Sequence, residues 1–201
     1  MTKVAAGITT SLDGYVTGPD DGPGKGLGEG GERLHWWVFG GPWTYEEGAR
    51  GEPTGVDKQL LDEAFARAGA VVGGRNTYEA AGAWGGQNPF GVPFFIVTHR
   101  PQDAPQDAGF AFVDGLEEAV ARAREAAGGK DVRIGGGPTV VREFLAARLI
   151  DHMHTVVVPV LLGRGVRLWD DSLEGVEEDY DIEVISSPSG VTHVTFIRAD
   201  A

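Results

Sequence analysis

The chain of 201 residues contains no cysteine. That absence excludes a disulfide framework, a thiolate nucleophile and any sulfur-ligated zinc site, and it leaves the redox compartment unread. Basic residues are also scarce. Seventeen Lys and Arg stand against 30 Asp and Glu, a net charge of −13. Tracking a phosphate backbone needs a basic footprint, so no nucleic acid partner is expected, and no anionic membrane surface. Long apolar runs are missing too. No segment approaches the roughly 20 apolar residues that span a bilayer. The start Met1-Thr2-Lys3-Val4-Ala5-Ala6-Gly7 has no apolar stretch of signal-peptide length. A cytoplasmic protein is the expectation.

What is present suits a folded domain. A hydrophobic share of 41% with 23% charged residues is that of a globular chain able to bury one substantial core. No repeat, charge block or linker divides it, so a single domain over 1–201 is expected. Glycine is abundant, but its 32 copies concentrate in three places and act as punctuation. One of these is the stretch 18–31, which has no apolar pattern and exceeds an ordinary connection. It reads as a mobile functional loop.

Apolar strands alternate with helices along the rest. Val4–Thr10 predicts a first strand, and Arg33–Phe39 a short helix beside a pocket. Thr54 can cap a helix whose apolar positions Leu60, Leu61, Ala64, Phe65 and Ala68 recur every three or four residues. Asp57, Asp62 and Glu63 then fall on its solvated face. Ala70–Gly73 and Phe94–Thr98 read as buried strands. Asp114 with Glu117 forms a capping box for a helix running to Ala127. Val132–Ile134 predicts a strand, Pro138 opens another helix, and Thr155–Leu162 is a further buried strand. Tyr180–Ile185 and Val191–Arg198 alternate around Ser186-Ser187-Pro188-Ser189-Gly190, a hairpin signal. This order predicts an α/β fold with a mostly parallel central sheet, a C-terminal antiparallel hairpin and helices on both faces.

Three strand ends carry candidate chemistry. Gly135-Gly136-Gly137-Pro138-Thr139 joins a strand to a helix, where glycines admit a ligand and the helix N-terminus favours a phosphate. The same glycines would also serve a plain tight turn. Gly74-Arg75-Asn76-Thr77 places a guanidinium and a hydroxyl at the carboxyl end of a buried strand, where open α/β sheets bind ligands. Thr98-His99-Arg100 adds a polar, basic cluster at a third strand end. In a chain of net charge −13, these ends together suit an anionic dinucleotide. His152 and His154 read as structural, and no metal site is expected. The tryptophans Trp36, Trp37, Trp43 and Trp84 either fill the core or stack on a flat ligand. No Gly-x-Ser-x-Gly setting exists for a hydrolase nucleophile.

The segments Ser11–Val16, Gly74–Glu79, Val97–Pro101, Ile134–Gly137 and Pro159–Trp169 occur in an order that resembles the dihydrofolate reductase-like superfamily. The resemblance is specifically to the C-terminal reductase domain of the bifunctional riboflavin-biosynthesis deaminase-reductase. It covers about Val4 to Ile197 and implies a three-layer fold in which 18–57 form a mobile loop and substrate-side helix. It further implies an NADPH-dependent reductase, a homodimer, and a small heterocyclic substrate of pyrimidine, pterin or cyclic imine type. The nearest named activity is 5-amino-6-(5-phosphoribosylamino)uracil reductase.

By that likeness Arg75 and Thr77, beside Gly74, contact the adenosine-side phosphates, with Thr98, His99 and Arg100 near the adenosine. Gly135, Gly136, Gly137, Pro138 and Thr139 hold the pyrophosphate. Thr9, Asp13, Gly14 and Val16 border the nicotinamide and the mobile loop, and Gly163 and Gly165 shape the turn beneath it. Reduction also needs a proton. Asp13 and His35 are the candidate acids, and Trp36, Trp37 and Phe39 the candidate substrate contacts. The alternative is a non-catalytic binder of a planar or flavin-type ligand on the same fold.

Overall fold

The computed structural model of the chain describes residues 2–22, 24–39, 51–103 and 109–199. Among these residues ten strands form: β1 (Val4–Ser11), β2 (Tyr15–Thr17), β3 (Ala68–Gly74), β4 (Phe94–Val97), β5 (Ala111–Val113), β6 (Asp131–Ile134), β7 (His152–Val158), β8 (Val166–Arg167), β9 (Tyr180–Ser186) and β10 (Thr192–Arg198). The helices are α1 (Gly55–Arg67), α2 (Arg75–Ala80), α3 (Leu116–Ala126) and α4 (Pro138–Ala146), with a 3-10 helix over Gly31–Phe39. Eight strands make one sheet in the order β5-β4-β3-β6-β1-β7-β10-β9, and β2 pairs with β8 in a separate small ribbon. The pairs from β5 through β7 are parallel. β10 runs antiparallel to both β7 and β9.

Side chains alternate between two layers, as the period of two in a strand requires. Val4, Val132, Ile134 and Met153 join Phe144 of α4 and Ala123 of α3 in the larger core. Phe144, Ile134 and Ile150 are fully buried, each worth about 1.5–3 kcal/mol. On the opposite face, Leu34 and Trp37 of the 3-10 helix pack on Val156, Val158 and Val191.

β1 pairs with β6 only over Val4–Ala6 but with β7 over Ala5–Ser11. Beyond Ala6 the two neighbours part, because β6 ends and its chain turns through glycines into α4. The crossover out of β1 passes through α1 on one face, and the one out of β6 through α4 on the other. A crevice therefore opens between the carboxyl ends of β1 and β6, the usual ligand position in such sheets.

Three local expectations differ from the structure. The strand expected over 155–162 is β7, which ends at Val158, because Pro159 has no N–H to give the ladder. The capping box does not form: Gly115 (φ +91°) caps α3 without a side-chain bond. Asp114 lies instead 3.6 Å from His99 Nδ1. The apolar stripe of α1 is not packed down on the sheet, since Leu60 and Leu61 are half-buried and Phe65 is 56% exposed. No helix among the described residues is long and apolar enough to cross a membrane.

Candidate active site

A cavity of about 1440 Å³ occupies the crevice and continues beneath α1. Ordinary small-molecule sites run to roughly 300–1,000 Å³, so this one has room for a dinucleotide and a second molecule.

The outer lobe is built from strand ends. Gly136 has φ +135°, and a Cβ there would stand 2.9 Å from Thr77 Oγ1. That close approach lets the Gly137 N–H donate to Thr77 Oγ1 at 2.8 Å, so the hydroxyl after β3 pins the turn after β6. Pro138 opens α4, and its N-cap Gly137 supplies no side-chain acceptor. The first N–H groups of α4 therefore remain available to an anion. Arg75 Nε donates to Glu79 at 2.7 Å, which holds the guanidinium at the cavity rim beside Thr98, His99 and Arg100. Thr98 is buried, and its Oγ1 accepts from the Arg100 N–H at 3.1 Å.

The inner lobe lies on the face under α1. Trp37 Nε1 donates to Thr9 Oγ1 at 3.3 Å, and its ring meets His193 edge-on at 5.6 Å. His193 stands in a chain of bonds that ties three elements. Its Nε2 is 2.8 Å from Asp57 Oδ1 of α1, and its Nδ1 is 3.0 Å from His154 Nε2 of β7. Burial is the largest influence on Asp57 and pushes its carboxyl up. Bonds from Ser187, Ser189 and His193 outweigh that and leave it below the ordinary value. His154 is pushed down to about 4, first by burial and then by the charges of His193, His152 and Arg133.

The chain matches the RibD C-terminal domain over residues 2–180. It belongs to that family. Among solved structures it is similar to a candidate riboflavin biosynthesis protein from Shewanella sp. PV-4, at 25% identity and TM-score 0.65, covering 98% of this chain and 99% of that one. A dihydrofolate reductase from Enterococcus faecalis complexed with NADP(H) and RAB-propyl is 15% identical at TM-score 0.59, covering 98% and 97%. The latter likeness shows the shared fold. No curated protein matches the chain.

Within this RibD C-terminal domain the sites expected from sequence divide into two groups. Gly74, Arg75 and Thr77 meet Thr98, His99 and Arg100 at the outer lobe, facing Gly136, Gly137, Pro138 and Thr139. Thr9, Val16, His35 and Trp37 line the cavity further in. His35 is held below the ordinary imidazole value by burial, so it is neutral at pH 7.

The others lie outside the cavity wall. Gly135 stays in the sheet, its N–H donating to the Val72 carbonyl at 2.8 Å. Gly14 (φ +83°) turns the chain against Trp169. Gly165 backs so closely on the Thr17 carbonyl that a Cβ would fall 2.0 Å from it. Gly163 donates its N–H to Asp13 Oδ2 at 2.7 Å. Asp13 is thereby a clip and not a free acid: Oδ1 also accepts from Ser11 Oγ at 2.6 Å and Leu162 N at 3.1 Å. Burial pushes Asp13 up, but these bonds prevail and hold it below the ordinary carboxylate value. An ionised carboxylate with both oxygens engaged has no proton to give. Trp36 faces Arg33, 6.0 Å from its guanidinium, and Phe39 is 54% exposed. Only Trp37 of the three expected substrate contacts faces the cavity. Trp43 lies outside the described residues.

The loop at 18–31 folds back on itself. Gly18 N donates to Leu27 O at 2.9 Å and Glu29 N to Pro19 O at 2.8 Å, bringing Leu27 to the cavity wall. Sequence reasoning missed Arg133 and His193 and put Asp57 on the solvated face of α1, whereas it is buried at 2% exposure. A signal for Arg133 was present, a charge between two apolar residues in mid-strand. For Asp57 there was none, because its partner is 136 residues away.

Proposed function

We propose that this domain is an NADPH-dependent reductase of a small planar heterocycle, with a pyrimidine related to the riboflavin pathway the nearest candidate. The supporting observation is the convergence of three strand ends on one lobe that opens into a second, ring-sized lobe. The residues fit the cofactor: the open turn at Gly136 and the uncapped N-terminus of α4 suit a pyrophosphate, and Arg75 with Arg100 suits a further phosphate. When bound, NADPH supplies a hydride. The chain's own part is to seat the phosphates at Arg75 and α4, orient the ring against Thr9 and Val16, and exclude water with Trp37.

Titration followed by tryptophan fluorescence tests this reading. The wild type should bind NADPH saturably and more tightly than NADH. Arg75→Ala should weaken NADPH by about 1–3 kcal/mol, the scale of a lost charge-assisted bond, and NADH far less. The loss falls at the lower end of that range if Glu79 competes for the guanidinium. No binding of either nucleotide by the wild type would overturn the reductase reading and favour a flavin-type or planar-ligand binder.

We also propose that a second copy of the chain covers the outer edge of the sheet. Edge strand β9 carries Val184 at 63% and Ile182 at 51% exposure, on the same face as Val194 and Phe196 of β10. A seven-residue edge strand that exposes such an apolar pair is an association surface unless it is covered. Light scattering should give twice the chain mass for the wild type and the single-chain mass for Val184→Glu. A wild type that stays monomeric at micromolar concentration would refute the dimer.

A further inference from the structure

Arg133 stands in mid-strand between Val132 and Ile134, both fully buried, and its side chain enters the space under α1. Its Nη1 is buried with no hydrogen-bond partner, and its guanidinium carbon lies 4.5 Å from the centroid of the Phe65 ring. Burial alone pulls its pKa down, with no carboxylate among the described residues close enough to oppose it. Gly7 forms the floor: a Cβ there would come within 3.9 Å of Arg133 Nη2. His154, the register partner of Gly7, forms the adjoining wall. Leu61 and Ala64 of α1 form the roof.

A guanidinium taken out of water without a counter-charge is unfavourable, and its remaining contact with an aromatic face returns only part of the loss. No carboxylate among the described residues opposes the charge at this position, although the chain carries a net charge of −13. The occupant can supply one. Phe65 lies against the guanidinium, and a two-oxygen partner on guanidinium N–H groups is the geometry of carboxylate recognition. Gly7 and the apolar roof line the same cavity, and a floor without a side chain under an apolar roof suits a flat ring.

We propose that the chamber over Gly7 seats a flat oxyanion of the substrate, a carboxylate or an ionised ring oxygen, with Arg133 as its counter-ion. This deepens the reductase reading by naming the substrate's charge. It rests on that reading only for the word substrate, since the seat itself needs no nucleotide.

The test is calorimetric titration of nucleotide-free protein with orotate, a flat pyrimidine carboxylate, and with uracil, the same ring without it. Wild type should bind orotate at least tenfold more tightly than uracil. Arg133→Met should erase that preference, and Arg133→Lys should keep part of it. Equal binding of the two rings, no binding of either, or a preference retained in Arg133→Met would overturn the proposal. Inorganic phosphate should not displace orotate. Displacement in the wild type would mean a tetrahedral anion site and overturn the flat-oxyanion assignment.

Thermal midpoints guard against a variant that merely unfolds. Without added anion, Arg133→Met should melt no lower than the wild type, because it loses an uncompensated charge. A drop of many degrees would make Arg133 structural and overturn the proposal. Orotate binding without NADPH binding would leave the seat standing and remove the reductase.

Discussion

Asp57→Ala should lower the thermal midpoint by roughly 6–20 °C, the largest loss expected from any single side chain outside the apolar cores. The side chains of His193 and Asp57 are 1% and 3% exposed and 2.8 Å apart. Removing one partner leaves the other buried and unmatched, which costs about 3–5 kcal/mol. For a chain of this size each kcal/mol shifts the midpoint by about 2–4 °C. Asp57→Asn keeps an acceptor oxygen and should lose markedly less. Differential scanning calorimetry of the three proteins decides it. If Asp57→Ala melted within 2 °C of the wild type, the pair would hold nothing together.

This pin explains the shape of the cavity. α1 meets the sheet through a polar bond near its first turn, while its apolar stripe stays largely uncovered, with Phe65 56% exposed. An ordinary amphipathic helix would lay that stripe on the sheet and fill the space. Here Leu61, Ala64 and Phe65 line a cavity. Fixing the helix by a side-chain bond keeps it in place without closing the room beneath it.

The pin is also where sequence reasoning failed. Asp57 lies one turn into a helix with Asp62 and Glu63 nearby, and reads as a solvated carboxylate. Nothing local distinguishes it, because burial comes from β10, across nearly the whole domain. Asp13 misleads for the same reason: the amides that engage it belong to Leu162 and Gly163, up to 150 residues on. Features set by neighbours in sequence were legible. Phe94–Val97 is an unbroken apolar run because both of its faces are covered, and Gly136 announces its turn because no other residue fits beside Thr77. The outer lobe could therefore be read from motifs. The inner lobe is made by tertiary register, where Gly7 of β1, Arg133 of β6 and His154 of β7 come together through pairing that no short motif encodes.

Acid should weaken the fold in two separable steps. His154 has an ordinary value of 6.5 and sits at about 4 in the folded chain, with burial the leading cause. Its pKa is depressed, so the unfolded chain binds the proton more readily. Above pH 6.5 neither state is protonated and His154 costs nothing. As pH falls from 6.5 toward 4 the unfolded state gains protons that the folded state refuses, and stability drops by roughly 2–4 kcal/mol. Asp57 acts later. Its folded pKa lies below 3.8, so its stabilisation is intact above the unfolded value and is lost as pH falls through the folded one. Urea midpoints taken from pH 7.5 to 4.5 isolate the first step. The wild type should lose stability steadily across that window, and His154→Gln should lose clearly less. A residual slope is expected in the variant, because burial also lowers His35 and His152. Parallel slopes in the two proteins would mean that His154 is not the group whose neutrality the fold depends on, and that the chain from β7 to α1 tolerates a charge at its inner end.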